Sequence, residues 1–364
     1  DLPRYYAELA DLQTAHHDIA GGEESARRAL ASAKAIHGEN HVDVAQCEVR
    51  LGRLLFDTDR EAEGFALIES ARAKTLALRG ADDGFHTPFM LYQYGAAEVR
   101  RGRIEDGLAS LEAAIANRRR HRPGTIPLAQ FLESAAQGRI ALGRFDDAER
   151  ALDEAGAIRA EAGQSAPSAM LDPAIVLRMR LALARGDAHA AAALIPQLSS
   201  SRASAEPLDR QIVLDRLAAA DVASASGDRT AAIAAAAGVR RMIEASDLVR
   251  YYGSLLADAD FVEGEAHLRA GDARAASAPL ERALAARERS LDASSPDIAE
   301  TEIALAEARL ATSDVDGARQ LADAAAKIDA AHAALGPQYR TPLRRLRQTL
   351  AASPRALSAR ARSP

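Results

Sequence analysis

A short pattern returns eight times along this chain, at intervals of 36 to 45 residues. A turn-forming residue is followed five positions later by Ala or Gly. The turn residues are Gly21, Asp57, Gly102, Gly143, Gly186, Gly227, Gly271 and Ser313, and their partners are Ala26, Ala62, Gly107, Ala148, Ala191, Ala232, Ala276 and Ala318. A period of this length marks a solenoid. Each unit is too small to bury an apolar face alone, and stacking the units buries it. This constrains the fold more tightly than the length of 364 residues, which would otherwise suggest about two or three domains.

Each unit carries helical spacing around its turn. Three positions before the turn stand Leu54, Val99, Ile140, Leu183, Leu268 and Leu310, with Asp18 and Ser224 as exceptions. Seven before it stand Gly95, Ala136, Ala220, Gly264 and Ala306. Nine after it stand Leu30, Leu111, Leu152, Ile195 and Leu280, with Ala elsewhere. Offsets of three, four and seven belong to helices, not strands. The expected unit is helix A, a tight turn and helix B. Thr87-Pro88, Asp172-Pro173 and Ser295-Pro296 mark A-helix starts, since proline fits the first helical turn. Thr341-Pro342 opens one last helix. Pro196 and Pro279 fall inside B helices and should bend them.

Alanine-rich composition supports close helix packing. Aromatics are 4% and Trp is absent, so no core of large rings is expected. The formal charge of −6 argues against a general nucleic-acid binder, which carries a basic excess. The single cysteine, Cys47, allows no internal disulfide and no cysteine zinc cluster. No apolar run approaches the roughly 20 residues of a membrane span, and no signal peptide is visible, so membrane contact by this segment is not expected. These features point to the cytoplasm; joined to an upstream transmembrane segment, the chain would be extracytoplasmic. The start at Asp1, already within a helical pattern, suggests a piece of a longer protein. Residues 1–352 read as one repeat domain, and 353–364 as a disordered basic tail.

These offsets resemble the tetratricopeptide repeat. The turn glycine, the alanine five later, the small residue seven before and the apolar residue nine after all correspond. The period near 42 residues, against about 34 for the common form, is similar to the kinesin-light-chain variant. So are Pro279-Leu-Glu-Arg-Ala-Leu-Ala-Ala-Arg-Glu288, leading to Ser295-Pro-Asp-Ile-Ala299, and His37-Gly-Glu-Asn-His-Val-Asp-Val-Ala45. The resemblance covers residues 4 to 335. It implies an all-α, right-handed α-solenoid of about eight antiparallel hairpins with a C-terminal capping helix. It also implies a non-catalytic scaffold that needs no cofactor. Similar arrays occur in bacterial multidomain regulators, often downstream of a serine/threonine kinase domain. The chain would then be the recruiting or sensory arm of such a protein. The alternative is a ligand-sensing module gating a kinase or transcription-regulator domain upstream of residue 1.

In that family the A helices line a concave groove. Projected onto this sequence, the first half of the groove offers Phe89, Tyr92, Gln130, Glu133 and Gln137, followed by Arg180. The second half offers Asp221, Asp258, Glu265, Glu300 and Glu307, with Phe261 and Ile303 between them. The acidic half suggests a basic, partly apolar peptide or helix as partner; the competing reading is an ordinary solvated face. Family grooves that hold a chaperone C-terminal carboxylate use Asn six positions before the turn. Here those positions are Ala15, Leu51, Ala96, Gln137, Arg180, Asp221, Glu265 and Glu307, which argues against that ligand.

Other motifs carry less. His37 and His41 have the spacing of two zinc ligands, but no third ligand is evident in sequence and an inter-hairpin loop explains them. In Asp314-Val-Asp316-Gly317 the aspartates read as a helix cap rather than a calcium loop. Arg118 to Arg122 reads as a basic helix end. Cys47, on the packed face, reads as an inert buried thiol. No phosphate loop or paired nucleophile and base emerges, so no catalytic residue is assigned.

Overall fold

The computed structural model describes residues 2–56, 58, 60–163, 172–198, 210–246 and 249–352. Among these residues there are no strands. Seven hairpins each pair an A helix with a B helix: α1 (Leu2–Ala15) with α2 (Ile19–His37), α3 (Val42–Phe56) with α4 (Glu61–Arg79), α5 (His86–Arg101) with α6 (Ile104–His121), and α7 (Ile126–Ala141) with α8 (Phe145–Glu161). In the fifth unit α9 (Asp172–Ala184) is followed by two short helices, α10 (Ala188–Ala192) and α11 (Ile195–Leu198). Then come α12 (Arg210–Ala225) with α13 (Arg229–Glu244), α14 (Gly253–Arg269) with α15 (Ala273–Ser290), and α16 (Pro296–Ala311) with α17 (Val315–Ala331). A last helix, α18 (Pro337–Ala352), caps the array. Apart from the short helix α11, which packs on α9, helices adjacent in sequence pack on one another. This is the all-α solenoid that the repeat implies.

The B helices set the true register. Their N-caps are Asp18, Arg60, Arg103, Arg144, Asp187, Asp228, Asp272 and Asp314, spaced 41 to 44 residues apart. Each aspartate accepts a backbone N–H three residues on, at 2.8–3.0 Å. This satisfies a donor that the first helical turn leaves free. Asp314 confirms the cap reading. The three arginine caps instead pair with an acid three residues on, Glu63, Asp106 or Asp147.

This register corrects the first two units. Gly21 lies inside α2, and the left-handed turn residue is His17, with φ of 63°. The small partner five later is therefore Gly22, not Ala26. In the second unit the cap at Arg60 moves the register two residues beyond the one based on Asp57. Gly64 takes the partner place, while Ala62 is exposed; Asp57 and Asp59 lie outside the described residues. The positions six before the turn become Asp11 and Arg53, still not Asn.

With the register corrected, small residues meet where A crosses B. An added Cβ on Gly95 would lie 2.6 Å from the Gly107 carbonyl oxygen, and one on Gly107 equally close to that of Gly95. Gly52 and Gly64 face one another in the same way. In three other units alanine suffices: Ala136 with Ala148, Ala220 with Ala232, and Ala306 with Ala318 are all fully buried. Backbones approach closely there, and larger side chains such as Leu111, Leu152, Ile243 and Leu280 fill the spaces on either side.

The prolines behave unequally. Pro196 does not bend a helix; it divides one. Its missing N–H would have bonded Ala192, the last residue of α10, and its ring crowds that carbonyl. Pro279, by contrast, lies within an unbroken α15. Thr87 is not a cap, because α5 begins at His86 and the Thr87 hydroxyl donates to the Gly80 carbonyl at 2.8 Å. Pro342 does not open the last helix either. That helix starts at Pro337, where contacts with α7 hold an extra turn. Pro207 and the tail 353–364 lie outside the described residues.

Those contacts with α7 belong to a larger feature. The solenoid closes on itself, and residues some 190 to 230 positions apart meet along a seam. The Asp292 N–H donates to the Arg101 carbonyl at 2.9 Å, and the Gly336 N–H to the Ala141 carbonyl at 2.9 Å. The Gln338 amide donates to the Ile140 carbonyl at 2.8 Å. Glu105 receives both the Ala333 N–H, at 3.1 Å, and the His332 ring at 2.7 Å. Two turn glycines sit at the closest approaches. A Cβ on Gly143 would lie 2.9 Å from the Gly336 Cα, and one on Gly102 would collide with Ser295. Both have positive φ, 70° and 95°, so glycine here meets a conformational and a spatial demand together.

Candidate functional site: the central chamber

Closure leaves a half-open chamber of about 1100 Å³ at the centre. Its wall is built from A helices at fixed places in each unit. Counted back from the turn residue, positions thirteen, ten and six point inward. They are Gln130, Glu133 and Gln137 on α7; Pro173, Val176 and Arg180 on α9; Leu214, Leu217 and Asp221 on α12; Asp258, Phe261 and Glu265 on α14; and Glu300, Ile303 and Glu307 on α16. Separations of three and seven keep such residues on one helical face, and stacking repeats that face from unit to unit.

Twelve of the thirteen groove residues expected from sequence line this one cavity: Tyr92, Gln130, Glu133, Gln137, Arg180, Asp221, Asp258, Phe261, Glu265, Glu300, Ile303 and Glu307. Phe89 does not. It packs beside the cluster of Ala45, Val49, Ala71 and Met90, with its ring 6.5 Å from that of Tyr92. Tyr92 stacks on Phe131 at 4.5 Å. Phe261 is largely buried and lies beneath the Arg287 guanidinium at 4.5 Å.

The sequence missed the B-helix arginines that reach through to this wall. Arg159, on α8, is buried and grips Glu133 with two bonds of 2.8 Å. Arg287, on α15, pairs with Asp258 at 2.9 Å and donates to Thr301 and to the Asp297 carbonyl. Arg118 occupies the equivalent position on α6. It stands in the basic last turn of that helix, as expected, and is buried there with its guanidinium 5.5 Å from the Phe131 ring. Burial, with Arg122 adding, lowers its pKa. Sixteen residues after the turn is the shared signal, visible only once the register is known. Tyr339 and Arg345 of α18 also line the chamber, brought there by closure.

The two halves differ in charge. In the first half the buried Glu133 is neutralised by Arg159. In the second, Arg269 holds Glu265 at 2.6 Å and Arg287 holds Asp258, but Asp221 and Glu307 have no hydrogen bond or ion pair among the described residues. Burial, reinforced by Glu265 and opposed by Arg180, pushes the Asp221 carboxyl up to about 7. Burial pushes Glu300 up to about 8, against the pull of Arg287 and with Asp297 and Glu265 adding to it. Glu307 moves upward for the same reasons, burial and Glu265. A half-enclosed wall with more carboxylates than cations binds protons readily, and a cationic group would be favoured there.

Two minor candidates resolve differently. Asp43 supplies the third polar group that the sequence did not reveal near His37 and His41, at 3.5 and 3.6 Å. The two imidazoles are stacked, with centroids 4.3 Å apart and planes 13° from parallel, so their in-plane lone pairs run side by side instead of converging. Cys47 is buried and its thiol is pushed up to about 11 by that burial, as expected for an inert thiol. Among the described residues, no helix is long and apolar enough to cross a membrane.

The fold is an α-solenoid of tetratricopeptide-like helical hairpins. No family model matches the sequence, and no curated protein matches it. Solved structures do. A Rap protein complexed with competence and sporulation factor superposes with a TM-score of 0.63 at 11% identity, covering 96% of this chain and 99% of that one. A tetratricopeptide repeat protein from Parabacteroides merdae gives 0.46 at 13% identity, over 84% and 98% of the two chains. Kinesin-light-chain-like repeats from Podosopora anserina give 0.45 at 17% identity, over 54% and 94%.

Proposed function

We propose that this chain is a non-catalytic protein-interaction module that holds a peptide or partner segment against the chamber wall. The observation that carries this reading is the convergence of inward positions from five successive units on one cavity. A packing face needs no chamber, and the unpaired carboxylates of the second half suit a basic ligand. The Rap structure of the same architecture was solved in complex with competence and sporulation factor, which supports the reading by analogy of fold. We read the chain further as the recruiting or sensory arm of a larger bacterial regulatory protein, as its resemblance to such arrays implies.

The test is a binding comparison by fluorescence polarisation, using a panel of short peptides with and without Lys and Arg. Glu265→Lys/Glu307→Lys should weaken the best binder on the order of tenfold or more, since truncating or reversing charge at a desolvated contact costs a few kcal/mol. Equal affinity of parent and variant would remove the acidic wall from the site. A best binder without cationic residues would do the same.

A further inference from the structure

We propose that the seam closing the ring is a latch, which opens as a unit to admit ligand and shuts around it. This deepens the reading of the chamber as a binding site and rests on it for its purpose, though not for its test.

The seam is built unlike the rest of the molecule. Hairpin interiors are apolar and continuous, as between α16, α17 and α18, where Ile298, Ile303, Ile328, Leu343, Leu346 and Leu350 form one cluster. None of these residues belongs to the seam. Its bonds are instead polar: three backbone N–H groups, one side-chain amide and one histidine, all reaching backbone carbonyls or Glu105. Such groups exchange protein partners for water with little net change. Both nitrogens of the buried His332 face acceptors, Glu105 on one side and the Ser294 carbonyl on the other, each at 2.7 Å. The apolar contacts at the seam include Tyr339, packed against the core of units three to five, and Pro337, whose ring lies beside Gly143. Parting the seam therefore leaves every hairpin core intact. Segments joined by few apolar contacts move as units well below the cost of global unfolding.

The latch also lies where it controls the chamber. Gln338, Tyr339 and Arg345 line the cavity while the same helix makes the closing bonds. A ligand lodged against α18 from within thus bears on the contacts that keep the ring shut.

The test reads chamber access directly. Glu307→Cys places a thiol on the wall; native Cys47 is buried and unreactive. A small maleimide and a long polyethylene-glycol maleimide are compared in labelling rate. The closed ring should favour the small reagent on the order of tenfold or more, as expected when reaction waits on opening. Adding Gly102→Ala and Gly143→Ala should bring the two rates together and enlarge the radius of gyration in X-ray scattering. The control is Gly227→Ala/Gly271→Ala. These glycines have φ of 84° and 79°, and an added Cβ meets nothing within 4 Å, so backbone strain is matched without a clash at the seam. Should the seam variant fail to fold, Glu105→Ala/His332→Ala removes bonds without adding atoms and should give the same convergence. Amides of Asp292 and Gly336 should exchange faster than those inside α16. Equal labelling rates in the closed parent, identical behaviour of seam and control variants, or seam amides that exchange only with the cores would each overturn the latch. Peptide binding plays no part in these measurements. If no peptide binds yet the seam opens, it is the proposed function that fails.

Discussion

Glu302 offers a sharp test of how burial governs this array. It lies on α16 outside the chamber, 6% exposed, and one carboxylate oxygen has no hydrogen-bond partner. Burial, with Glu288 adding and Lys327 opposing, raises its pKa from 4.5 to about 7. The folded chain therefore holds this proton more tightly than the unfolded chain. Stability from the neutral carboxyl is complete below pH 4.5 and is lost as pH rises through about 7. Each pH unit of displacement corresponds to about 1.4 kcal/mol, so the charged form costs ~3 kcal/mol. Glu302→Gln keeps the shape and removes the charge. Urea unfolding of parent and variant should agree near pH 4.5, and the variant should lead by ~2–3 kcal/mol near pH 8.5. A difference that does not change with pH would refute the argument, showing that the carboxylate is hydrated or paired in the folded protein.

Two further outcomes follow from packing. Arg159→Ala strands the buried Glu133 carboxylate and should cost about 3–5 kcal/mol in urea unfolding, while Glu133→Leu/Arg159→Met should recover most of that loss. Ala148→Leu inserts a large side chain where α8 crosses α7 and should cost about 1–3 kcal/mol by thermal melting; a neutral result would place the crossing elsewhere.

The repeat was legible because its cause is local. A left-handed turn and a small residue at a helix crossing recur in sequence whenever the geometry recurs. Units three to eight could therefore be placed directly. The first unit was misplaced because His17 takes the left-handed turn usually given to glycine, and a nearby glycine, Gly21, offered a false register. Inward-facing residues were legible for the same reason as the repeat, since they ride on its period. Phe89 shares that period, but it lies against the second unit's core rather than the chamber. Arg159 and Arg287 were missed because their signal is counted across the turn into the B helix. Closure was illegible altogether. It depends on main-chain groups, absent Cβ atoms and three side chains, Glu105, His332 and Gln338, brought together over some two hundred residues, and no repeating pattern records them.

Open arrays can gain or shed a module and merely grow longer or shorter. Here the circumference is fixed by partners at both sides of the join. Deleting one hairpin between Gly143 and Ser295 would leave Gly336 and Asp292 facing the wrong turns. Closure thus turns a modular, extensible architecture into one whose number of modules is set.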